Sequence, residues 1–76
     1  MTFKEQFKRS IRRVVRSMGV GQKCKVEYDA NDICHSAATN MIRKICEEEC
    51  KRRPKGVHVV YTRPYLEVYD FKALMK

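Results

Sequence analysis

Several features that would narrow the function at once are missing from this chain. No apolar run approaches the roughly 18–20 residues of a membrane-spanning helix. There is no CxxC pair, which weakens a zinc reading despite four cysteines and two histidines. No nucleotide-binding glycine loop is present, because Gly19-Val20-Gly21 lacks the rest of that pattern and precedes strand-like sequence instead of a helix. Internal repeats and low-complexity stretches are absent. Charged residues fall every few positions near the start, so no secretory signal is legible. On that ground Cys24, Cys34, Cys46 and Cys50 read as reduced thiols of a cytoplasmic protein, not as a disulfide framework.

Acidic residues are scarce in one place. Residues 1–25 contain Glu5 alone against eight basic residues, a net of +7 out of the chain's +8. The remaining residues are almost neutral, so the basic character belongs to the first third and points to an acidic partner. A length of 76 residues makes one domain with a thin core. The apolar content of 43% is enough for that core and argues against global disorder.

Thr2 to Met18 reads as a helix. Phe3, Phe7, Ile11, Val14, Val15 and Met18 recur at three- and four-residue spacing and fill an arc of about 120°. Arg9, Arg12, Arg13 and Arg16 fall opposite, with Lys8 at the boundary. Thr2 and Glu5 fit a capping box, and Gly19 and Gly21 are expected to stop the helix. A basic amphipathic start also describes a mitochondrial presequence or an interfacial membrane helix. The capping device and the direct run into strand-like sequence favour a folded helix.

Residues 24–28 alternate apolar and charged, giving a strand with Cys24, Val26 and Tyr28 inward. The cap-rich segment Asp29 to Asp32 is expected to open a second helix over 32–53, ended by Pro54. Its apolar stripe reads as Ile33, Cys34, Ala37, Ala38, Met41 and Ile45. Cys46 and Cys50 fall beside that stripe, next to Ile42, which hints at contact with the first helix or a second subunit. Glu47 to Glu49 and Lys51 to Arg53 pair at i,i+4 spacing and read as a solvated helix end. A hairpin over 57–71 follows, turning through a loop of about four residues around Arg63-Pro64. An even loop puts Val57, Val59, Tyr61, Leu66 and Val68 on the core face. His58, Val60, Thr62, Tyr65, Glu67, Tyr69 and Phe71 then face outward. Ala73 to Lys76 reads as a tail.

The order α-β-α-β-β predicts a two-layer α+β domain, a three-stranded sheet with both helices on one face. The first two strands are either parallel neighbours or separated by the third.

The function expected from these residues is non-enzymatic nucleic-acid binding, DNA or RNA. Arginine meets phosphate through a planar fork, and its contacts release counterions from the polymer. Lys8, Arg9, Arg12, Arg13, Arg16, Lys23 and Arg63 are the candidate phosphate contacts, and Tyr65 and Tyr69 the candidate stacking residues. No metal or other cofactor is expected, since Cys46 and Cys50 lie about 17 Å along the helix from Cys34 and His35. A small ribonuclease using His35, His58, Tyr69 and an arginine is the weaker catalytic reading, as no motif ties these residues together. The alternative outside nucleic acid is a protein-binding inhibitor or accessory factor, such as a mobile element encodes, docking on an acidic protein surface. The open aromatic sheet face also leaves room for a homodimer.

Overall fold

The computed structural model describes residues 2–76. Its first helix, α1 (Phe3–Ser17), starts where the Thr2 hydroxyl accepts the Glu5 amide at 3.3 Å, satisfying one otherwise orphaned N–H. Phe7, Ile11, Val15 and Met18 are buried on one side, with Phe3 and Val14 packed at the margin. This is the stripe that the spacing predicts. The helix ends with Met18 in extended conformation, not on a left-handed glycine. Of the two glycines that follow, only Gly21 has positive φ.

Strand β1 (Lys23–Glu27) follows with Val26 buried, and Tyr28, just beyond it, is buried too. The segment after it does not open a helix. Asp29 accepts the Asn31 amide on its side chain at 2.8 Å, and its carbonyl takes the Asp32 and Ile33 amides. The cap-type residues thus build an Asx turn. Helix α2 (His35–Cys50) starts only after Cys34, so Ile33 plugs the core from the loop and Cys34 is exposed. The buried stripe of α2 is Ala38, Ile42, Ile45, Cys46 and Glu49, rotated from the expected one. Ala37 and Met41 sit at its edge. Cys46 therefore lies in the core, where burial pushes its thiol up to about 12. Cys50 accepts the Val59 amide at 3.2 Å, so it meets the sheet.

The hairpin joins β2 (Val57–Tyr65) to β3 (Val68–Met75) through Leu66-Glu67 alone. Arg63-Pro64 belongs to the strand, and the register slips by one at Thr62, between Tyr61 paired to Phe71 and Arg63 paired to Asp70. That bulge inverts the expected faces of β3, because the two-residue loop is still even and leaves the alternation unchanged. Tyr69, Phe71 and Ala73 are buried, whereas Leu66 is exposed and Val68 half-buried. Pro64 is tolerated because β2 is an edge strand with a side that owes no ladder hydrogen bond. The strand continues through Met75, and Lys76 donates to the Gly56 carbonyl at 2.7 Å, so the expected tail is part of the sheet.

Strand order is β1-β3-β2, with both pairings antiparallel. The third strand thus separates the first two. Both helices cover one face, and a single core joins Phe7, Ile11 and Val15 of α1 and Ile42 and Ile45 of α2 to Val26, Val59, Tyr69 and Phe71 of the sheet. The protein is a two-layer α+β domain with extents of 36 × 24 × 17 Å. Among the described residues, no helix is long and apolar enough to cross a membrane.

Candidate nucleic-acid interface

Packing α1 against α2 leaves a cleft between their outer sides. Arg9, Arg12, Arg13 and Arg16 line it from α1, and Glu48, Glu49 and Arg52 from the end of α2, around a volume of about 720 Å³. The helical spacing that points the apolar residues inward aligns these arginines along the rim. Five arginines face two glutamates, and a concave surface of this kind concentrates positive potential.

The two glutamates differ. Glu49 is only 5% exposed and is the sole buried charged residue among those described. Its carboxylate accepts the Arg16 Nε–H with both oxygens 3.1 Å away, the only ion pair among the described residues. This hydrogen bond, with the carboxylate's charge, raises the Arg16 pKa above its ordinary value. The pair replaces the expected i,i+4 pair of Glu49 with Arg53. Arg53 instead donates to the Met18 carbonyl at 2.9 Å and to the Val15 carbonyl. The supposed solvated helix end thus joins α2 to α1 at two points. Arg9, Arg12 and Arg13 carry no such partner among the described residues.

The other candidate residues are distributed elsewhere. Lys8 is half-buried on α1 and does not line the cleft. Lys23 and Arg63 lie on the uncovered face of the sheet, in a separate cavity of about 530 Å³ with Lys25, Thr62, Asp70 and Lys72. Tyr65 is 61% exposed at the end of β2. Tyr69 is 0% exposed in the core and offers no ring for stacking a base. Its assignment as a stacking residue is overturned by the hairpin register.

Tyr69 has a structural role. It stacks on Tyr28 and His35, with ring centroids 5.5 and 5.8 Å apart, and meets Tyr61 edge-on. Its hydroxyl lies 2.6 Å from Thr39 Oγ1 and donates to the His35 carbonyl at 3.2 Å. Tyr28 is hydrogen-bonded to His35 Nδ1 at 3.0 Å, and burial beside Tyr69 pushes its phenol up to about 12. His35 and Tyr69, two members of the ribonuclease-like set, therefore do meet. They meet beneath α2, and the nearby opening beside Tyr28 is lined by the acids Glu27, Asp29 and Glu67. His58 is exposed on β2, in register with Leu74. Among the described residues no cluster of His, Cys, Asp or Glu is arranged to hold a metal ion.

Reading the sequence missed Arg52, Lys25, Asp70 and Lys72. A signal for the helical cleft was available in Glu49. It falls four residues after Ile45 and three after Cys46, on the apolar stripe, where an acid calls for a basic partner from another element. Lys72 and Asp70 depended on the hairpin register.

No protein-family model, curated protein or solved structure matches the chain.

Proposed function

We propose that this is a small, non-enzymatic nucleic-acid-binding protein that grips the phosphate backbone in the cleft between α1 and α2. The observation that carries the reading is the cluster of Arg9, Arg12, Arg13, Arg16 and Arg52 around one concave surface, with only Glu48 and Glu49 as acids. Guanidinium forks suit phosphate oxygens, and each contact releases condensed counterions. Glu49 holds Arg16 by Nε, leaving the two terminal amino groups of that fork without a protein partner among the described residues. Arg9, Arg12 and Arg13 supply the uncompensated charge. A cytoplasmic location, which keeps the four free thiols reduced, belongs to the same reading.

The test is anisotropy of labelled single- and double-stranded DNA and RNA, titrated with the protein at several salt concentrations. Wild-type binding is expected to weaken linearly in log–log terms as salt rises. Arg9→Glu with Arg13→Glu, both exposed, is expected to cut affinity by more than about tenfold and to flatten the slope by about one unit per contact removed. Unchanged affinity in the folded double variant would sink the cleft mechanism. Absence of salt-dependent binding in the wild type would shift the argument to an acidic protein partner.

A further inference from the structure

We infer that the uncovered face of the sheet is a second nucleic-acid surface, selective for single strands. It rests on the nucleic-acid reading above and places a different kind of contact on the opposite side of the domain. Three cross-strand rows build the face. Lys23 pairs with Lys72, which pairs with Val60. Lys25 pairs with Asp70, which pairs with Arg63. Glu27 pairs with Val68, which pairs with Tyr65. The bulge at Thr62 sets this arrangement, because it brings Arg63 opposite Asp70 and turns Tyr65 to the side of the sheet that the helices leave open.

These rows are poorly matched to one another and well matched to a polyanion. Lys23 and Lys72 are like charges directly across a strand pair, an arrangement that is unfavourable without an anion. Asp70 stands between Lys25 and Arg63 yet forms an ion pair with neither, and its Oδ1 is buried without a hydrogen-bond partner. Four cations therefore surround the cavity with a single acid among them. Lys23 and Lys25 are two residues apart on β1, a spacing of about 7 Å that suits a repeating anion better than an isolated one. Tyr65 is exposed two residues along β2 from Arg63, in the next row with Val68 and Glu27, so its ring sits at the edge of the basic track. An aromatic ring next to a basic track on an open sheet is how unpaired bases are stacked while their phosphates are held. In a duplex the base faces are already stacked on one another, so the ring selects a single strand.

The test uses a labelled oligothymidine and a labelled DNA duplex. Tyr65→Ala is expected to weaken oligothymidine binding about tenfold, with Tyr65→Phe restoring it, since stacking needs only the ring. Lys23→Gln with Lys72→Gln is expected to weaken it as well, whereas the charge-matched pair Lys44→Gln and Lys55→Gln, exposed elsewhere, leaves it unchanged. Duplex affinity is expected to hold in Tyr65→Ala and to fall in Arg9→Glu with Arg13→Glu. If oligothymidine binding survives both sheet variants and responds only to the helical one, the sheet surface is refuted and the cleft stands. If the wild type binds neither probe, both readings fall together.

Discussion

The helical layer and the uncovered sheet face are both rich in cations, but among the described residues only the helical layer fastens some of its cations to protein groups. On the helical side, Arg16 is fastened to a buried glutamate and Arg53 to the carbonyls of Val15 and Met18. Their charge is partly structural. On the sheet, Lys23, Lys25, Arg63 and Lys72 crowd around one aspartate without forming an ion pair. A count of basic residues treats these groups alike, but replacing one kind should disturb the fold and replacing the other should disturb only what binds.

Aromatic residues give the sharpest way to break that contrast. Tyr69 and Tyr65 lie on the same hairpin, on opposite faces of the sheet. Tyr69→Ala is expected to cost about 3–5 kcal/mol, the range for emptying a core aromatic position, which in so small a domain approaches the whole stability. Tyr65→Ala is expected to stay within about 0.5 kcal/mol of the parent, as exposed substitutions do. Urea denaturation of the two variants measures both values. Equal losses would mean that the two faces of the sheet are not distinct.

The ion pair supplies the next contrast. Arg16→Ala leaves Glu49 buried and charged without its partner, whereas Glu49→Gln leaves an arginine side chain that is already half in water. Arg16→Ala is therefore expected to be the more destabilising change in thermal denaturation near neutral pH. The reverse order would show that Glu49 is not held by Arg16.

The smallest effect concerns pH. An unfolded tyrosine ionises near 10, and in the folded protein Tyr28 holds its proton to about 12. The native state binds that proton more tightly, so its contribution is complete below about pH 10 and is lost as pH rises towards 12. Tyr28→Phe is expected to be somewhat less stable at neutral pH, since its bond to His35 is gone. Its urea midpoint should also fall less steeply than the parent's between about pH 10 and 12. Parallel curves would show that Tyr28 does not carry this dependence.

The first helix was legible in the sequence because one face is apolar, the other is basic and Thr2 caps it, three local signals that agree. The architecture followed from element order, and only the position of β3 between its neighbours stayed open. The hairpin misled because Arg63-Pro64 resembles a turn, whereas an edge strand absorbs a proline without loss. One extra residue at Thr62 was enough to move Tyr69 and Phe71 from the surface to the core. Asp29 to Asp32 misled in a similar way, because the same side chains cap a helix or close an Asx turn. Arg9, Arg12, Arg13 and Arg16 were found as a group because one helix carries them all. Arg52 and Lys72 depend on pairings between elements, which spacing along the chain does not encode.

Arg53 has a consequence for how the chain matures. The last turn of α1 lacks a left-handed glycine closure, and carbonyls there accept hydrogen bonds from a side chain more than thirty positions downstream. During synthesis from the N-terminus, α1 therefore emerges well before the group that finishes it. Until residue 53 arrives, the end of the helix is closed only by its own amides and water. The end of α1 and the end of α2 are thus coupled in time as well as in space.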